Sequence, residues 1–187
     1  VEVLMFCNEI NSIQLNDENP ITLSSISKSK NLTIDQNVFS SIQIMEKTVN
    51  YSKKRKFIVA SVEEPNEQFS KKYANDYDKD YELKKLKLTI AFEINKNYKM
   101  VDFKQDQICL FCTFPLIGSQ KYQLPYLLHC HSFETTTERE GIILGEEEFE
   151  ENNILSNSGL NTLIINYSIK LFKIIVQWQI EQNKFSN

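Results

Sequence analysis

Apolar and polar positions alternate over residues 1–6 (VEVLMF) and again over 10–15 (INSIQL), close to the two-residue period of half-buried strands. The link Cys7-Asn8-Glu9 is short enough to close the two into a hairpin. Further strands are predicted over 42–46 and 56–62, with a charged turn across 51–55. The clearest strand is 86–94: Leu86, Leu88, Ile90, Phe92 and Ile94 share one face, which predicts core on that side and water on the other. Short continuous apolar runs at 108–114 and 126–132 read as strands buried on both faces. Pro115 and Pro125 mark the ends of their connection, forcing extended or turn geometry on the residue before each.

Residues 63–82 carry little apolar periodicity. They are rich in Asn, Asp, Lys, Gln and Ser with three tyrosines, and read as a long solvated excursion. After Gly141 and Gly145 comes an acidic run with Glu146, Glu147, Glu148, Glu150 and Glu151, read as a solvated helix start or loop. Ser156 or Ser158 then caps a predicted helix over 158–182. Its Leu160, Leu163, Ile164, Tyr167, Leu171, Ile174, Ile175 and Trp178 recur at three- and four-residue spacing, an amphipathic stripe about six turns long. Strands followed by a long terminal helix predict an α+β domain with a mixed or antiparallel sheet covered by that helix. The expected organisation is a single domain over 1–187 with a polar insertion at about 63–82.

Composition narrows the function classes. Of 187 residues 41% are hydrophobic, and twelve Phe and eight Tyr are present, which excludes disorder for most of the chain. The longest apolar stretches fall short of the ~20 residues a membrane-spanning helix needs, so no membrane is expected. A net charge of −4 argues against a phosphate-backbone binder, making nucleic acid an unlikely partner. The only dense basic run is Lys53-Lys54-Arg55-Lys56, read as a solvated turn. Val1 opens the chain without an initiator Met or a signal-peptide pattern, and the sequence reads as a piece of something longer. Four cysteines in a chain this apolar need not be staples, which points to the reducing cytoplasm. The only glycines are Gly118, Gly141, Gly145 and Gly159, too dispersed for a phosphate-cradling loop.

Three constellations could carry chemistry. Cys109-x-x-Cys112 with His129, Cys130 and His131 has the residue types of a zinc site. A strand would send the two thiols of the pair to opposite faces, however, and a closed set of four converging ligands is lacking. No metal site is expected. Cys130 between two histidines invites a thiol-imidazole reading, yet strand neighbours point to opposite faces, so a buried inert cysteine is expected. The third is Arg139. Only Arg55 and Arg139 are arginines; the other nineteen of the 21 basic residues are lysines. An arginine kept in a loop, where lysine serves almost everywhere else, is where bidentate recognition of phosphate or carboxylate is sought, because guanidinium offers a planar fork. The plainer reading is a surface arginine paired with Glu138 or Glu140.

The order of motifs resembles a known family. The Leu4-Met5-Phe6 segment leading to Ile10-Asn11-Ser12-Ile13, the run Phe111-Cys112-Thr113-Phe114-Pro115-Leu116, the Leu124-Pro125 pair entering a strand, and a Thr-rich loop ending in Arg139 are similar to sacsin-type proteins. These belong with the heat-shock protein 90 chaperones among ATPases of the Bergerat nucleotide fold. The resemblance concerns the middle, or transducer, region that follows the nucleotide domain. It implies a middle domain whose partner is the N-terminal nucleotide-binding domain of the same parent chain, with a client or partner protein as a further possibility. It also implies ATP and Mg as cofactors held by that other domain, and Arg139 as the catalytic arginine offered to the terminal phosphate. The Asn-carrying helix and DxGxG turn of the nucleotide domain are not in this sequence. Lys121, in the Gly118-Ser119-Gln120-Lys121 loop, is a weaker second phosphate-contacting candidate. In the chaperones the arginine follows the Leu-Pro pair more closely; the longer spacing here is nearer to sacsin and its bacterial relatives. The alternative reading is a non-catalytic protein-interaction scaffold.

Overall fold

A computed structural model describes residues 6, 12–15, 21–34, 37–47, 52–73, 84–97, 99–104, 106–145, 147–150 and 153–181. The chain is α+β. Its strands are β1 (Ser12–Leu15), β2 (Ile21–Ile34), β3 (Asn37–Lys47), β4 (Ser52–Pro65), β5 (Lys85–Ile94), β6 (Leu110–Cys112), β7 (Phe114–Pro115) and β8 (Leu127–His129). The helices are α1 (Glu67–Lys72) and α2 (Asn157–Glu181), with a 3-10 turn at Ser119–Tyr122. The strands form one sheet in the order β1-β2-β3-β4-β5-β8-β6-β7. The first five make an antiparallel meander. After it, β8 returns between β5 and β6, antiparallel to the former and parallel to the latter, so the sheet is mixed. A parallel pair cannot be closed by a tight turn; the segment from Thr113 to Tyr126 makes that crossover, and the candidate site is built on it.

Strand β5 forms where alternation predicts it. Leu86, Leu88, Ile90, Phe92 and Ile94 are all buried, while Lys85 and Lys87 on the other face are exposed. Helix α2 begins at its cap: the Ser156 hydroxyl accepts from the backbone N–H of Gly159 at 2.9 Å, satisfying one of the unpaired first-turn donors. Leu160, Ile164, Leu171 and Ile175 then enter the same core cluster as the β5 stripe. Each stabilises the fold by roughly 1.5–3 kcal/mol through burial. Phe172 meets Phe92 edge-on at 6.1 Å and Tyr126 at 4.9 Å. Over Asn157–Gln177 the helix is long and apolar enough to cross a membrane, which corrects the expectation that no stretch reaches that length. Of its apolar positions, Leu160, Ile164, Leu171 and Ile175 are spent on the core.

Several expectations are corrected. The charged run 53–55 is strand, not turn: β4 starts at Ser52 and pairs Lys53 with Glu46 and Arg55 with Ile44. The connection falls at 48–51, outside the described residues. Arg55 is held by Glu93 at 2.7 Å and lies over the Phe57 ring, so an ion pair and a ring face make a charged residue compatible with a central strand. The excursion expected from residue 63 does not begin there. β4 runs to Pro65, and α1 follows, capped by the Asn66 side chain accepting from Phe69 N at 2.8 Å and burying Phe69. Asn66 also reaches the Tyr167 hydroxyl at 3.3 Å, and Lys72 donates to the Leu155 carbonyl and the Asn157 side-chain oxygen, both at 2.9 Å. These bonds dock α1 on α2. Residues 74–83 lie outside the described residues.

The hairpin expected between 1–6 and 10–15 falls mostly outside the described residues; of its second arm, Ser12–Leu15 pairs with β2. Phe6 is helical, and the rest of 1–11 lies outside the described residues. The face of the sheet opposite α2 is also covered near its middle, for Phe57, Val59, Ala91, Phe111 and Leu127 are buried. Phe6 packs there against Phe111 and His129, with ring centroids 5.1 and 5.0 Å apart.

Candidate functional site

The crossover begins at a corner. Thr113, between β6 and β7, takes a left-handed backbone (φ 64°), a conformation that costs a residue with a Cβ roughly 1–2 kcal/mol. The chain then enters the 3-10 turn, where the buried Ser119 hydroxyl accepts from both Cys109 N and Leu110 N at 3.2 and 3.1 Å. These donors at the start of β6 would otherwise be unsatisfied in the core.

A hairpin-like loop packs against this turn. Its rungs are the Thr135–Ile142 bridge, Ile143 N to Glu134 O at 3.0 Å and Thr136 N to Gly141 O at 3.1 Å. Its tip is closed by Arg139 N donating to Thr136 O at 2.9 Å. Tyr122 joins turn and loop: its hydroxyl accepts from Ile142 N at 3.1 Å and donates to Ile142 O at 3.2 Å. Gly118, at φ 108°, brings its backbone against the Glu140 carbonyl, where a side chain would not fit.

Arg139 sits at the tip of this loop, exposed and in the left-handed region (φ 56°). Its guanidinium reaches back to donate to the Cys112 carbonyl at 3.0 Å, one residue before the Thr113 corner. Among the described residues it makes no ion pair, so pairing with Glu138 or Glu140 is not what the fold provides. Two left-handed residues, Thr113 and Arg139, are therefore tied together through one carbonyl. A guanidinium has five N–H donors, and one bond anchors it without exhausting the fork.

Lys121 lies on the neighbouring turn. Its ammonium is 5.4 Å from the centre of the Tyr122 ring, and a methyl at Gly141 would lie 3.3 Å from its Nζ. The fold thus brings the two cationic candidates onto touching loops.

The thiols and imidazoles are arranged for packing. Cys109 and Cys112 enter the same core cluster, because β6 is only three residues long and Cys109 precedes it. The opposite faces expected of a continuous strand do not arise. Cys109 Sγ donates to Ser119 O at 2.9 Å, Cys112 Sγ to His131 O at 3.5 Å and Cys130 Sγ to Lys87 O at 3.3 Å. Burial pushes all three thiols up, Cys130 to about 11; at Cys112 the nearby Arg139 pulls the other way. None is a ready thiolate.

His129 stacks on Phe6 and meets the His131 ring edge-on at 4.4 Å. Burial, then His131 and Lys87, hold it down to about 4. His131 Nδ1 lies 3.2 Å from Thr113 Oγ1. Among the described residues no three His, Cys, Asp or Glu side chains are placed to hold a metal ion.

Asn161 and Ser158, both buried on α2, bind the same loop, and neither stands out as a site residue in the sequence. A signal was available for Asn161: it falls three residues before Ile164, inside the stripe, and a polar residue at a core position is more telling than an apolar one. Compared with known proteins, the chain matches no family model, no curated protein and no solved structure.

Proposed function

We propose that this chain is the middle, or transducer, segment of an ATPase of the heat-shock protein 90 and sacsin kind. In this reading it delivers Arg139 to ATP bound with Mg in a neighbouring nucleotide domain, and couples hydrolysis to conformational change. The observation that carries it is the state of Arg139: exposed at a loop tip, unpaired with its flanking glutamates among the described residues, and anchored by its bond to the Cys112 carbonyl. A merely solvated arginine would not need a left-handed backbone and a fixed anchor. Lys121 on the adjoining turn, its ammonium beside Gly141, adds a second positive charge nearby.

ATP supplies the transferred phosphoryl group, and Mg neutralises part of its charge. Arg139 presents donors to the terminal phosphate oxygens, and it stabilises the charge that builds there as the bond to the leaving group breaks. Because the loop is already hydrogen-bonded in place, little reorganisation is needed at that moment. Buried thiols without a disulfide at Cys109, Cys112 and Cys130 support a cytoplasmic setting.

The test is steady-state ATP hydrolysis by the protein that includes the nucleotide domain. Arg139→Ala is expected to lower turnover by about a hundredfold or more while nucleotide binding survives. Arg139→Lys should recover little, since lysine lacks the fork. Equal turnover in wild type and Arg139→Ala would overturn the reading. The scaffold reading draws on Phe114 and Ile117, apolar side chains 65% and 72% exposed beside the Thr113 corner. It expects Arg139→Ala to leave turnover untouched and polar substitutions at those two positions to abolish capture of a partner protein.

A further inference from the structure

The base of the Arg139 loop is fastened to helix α2 by side chains rather than by packing alone. Asn161 is fully buried. Its Oδ1 accepts from Glu134 N at 3.0 Å, and its Nδ2 donates to Glu134 O and to Ile143 O, both at 2.8 Å. It therefore grips both arms of the hairpin, taking the part of a neighbouring strand for Glu134. One turn earlier, Ser158 Oγ accepts from Gly145 N at 2.7 Å and donates to Gly145 O at 3.1 Å. From this clamp, backbone bonds run without a gap to the tip: Ile143 to Glu134, Thr136 to Gly141, Arg139 to Thr136. Only Asn or Gln offers an acceptor and two donors on one short group.

We propose that Asn161, assisted by Ser158, is the positioning residue through which helix α2 sets the pose of Arg139. This inference rests on the reading of Arg139 given above. It gives α2 a specific role, in which a shift or rotation of the helix is passed to the arginine through two side chains. Asn161 touches no reacting atom; it acts through Arg139. Small misplacement of a positioned group far from the chemistry can cost about a hundredfold in rate.

The test is a double-mutant cycle on ATP turnover, in the protein that includes the nucleotide domain. Asn161→Ala is expected to lower kcat about tenfold or more, leaving KM for ATP and nucleotide binding unchanged, and Ser158→Ala to give a smaller loss of the same kind. Ser168→Ala is the control, since it removes another buried hydrogen bond of the same helix, 2.8 Å to the Tyr126 hydroxyl, away from the loop; kcat should hold. The decisive readout is non-additivity: Asn161→Ala with Arg139→Ala should turn over no more slowly than Arg139→Ala alone.

If the two losses multiply, or if Asn161→Ala behaves like Ser168→Ala while Arg139→Ala is crippled, the positioning role is overturned and the Arg139 reading stands. If Arg139→Ala is as active as wild type, both fall. Should Asn161→Ala not fold, Ser158→Ala and its double with Arg139→Ala carry the same cycle.

Discussion

Burial holds His129 neutral, with His131 and Lys87 adding to the effect, so that it takes up a proton only near about pH 4. In the unfolded chain an ordinary histidine does so near 6.5. Between those values the unfolded state binds more protons, so stability must fall as pH falls. The contribution is complete above about 6.5 and gone below about 4. Thermal melts of the protein should therefore show a drop in Tm across that window, and His129→Phe, which keeps an aromatic ring against Phe6, should flatten it. A pH dependence unchanged by the substitution would contradict this account. Arg139 tells a complementary story: its rarity among basic residues was legible, but its anchor on Cys112, 27 residues away, was not. Histidine and arginine chemistry is decided by neighbours, and neighbours of this kind come from distant parts of the chain.

Helix α2 and strand β5 were legible because their stripes repeat at the element's own period over many residues. β2 was not, since its run ITLSSISKSKNLTI dilutes the alternation with serine and lysine. Its pairing with β3 also shifts register twice, between Ser25 and Ser27 and between Lys30 and Leu32, and each such shift breaks a two-residue pattern. Helix α1 is too short to show a period. Its capping asparagine could be read only as one more polar residue in a polar segment. A test of how closely α2 meets the loop before it lies in Gly159. By propensity alone, Gly159→Ala should stabilise a helix by about 1 kcal/mol. A Cβ there would run into the backbone carbonyl of Glu148, which has no flexible end to move aside. The substitution is therefore expected to destabilise by about 1–3 kcal/mol, read as a lower Tm or denaturant midpoint; a rise would show that the helix start is looser than described.

In the molecule as a whole, an antiparallel meander supplies the scaffold, and the inserted β8 creates the crossover that carries Lys121 and against which the Arg139 loop packs. The arrangement offers an arginine and a lysine on touching loops but no glycine-rich cradle for phosphates. Alone, this chain is expected to hydrolyse no ATP, and a steady-state assay with pure material checks it; measurable turnover would defeat the proposal that the nucleotide is held elsewhere. The α+β class, β5, the long helix and the oddity of Arg139 could all be read from the residues in order, because period and composition are local properties that any window of the chain displays. That Asn161 clamps Glu134, that Tyr122 straps Ile142 and that Lys121 and Arg139 lie on touching loops came only from the folded chain. Those contacts join residues 18 to 27 apart in the chain, and they exist because burial against β5 and β8 fixes where each segment passes, a condition no local pattern encodes.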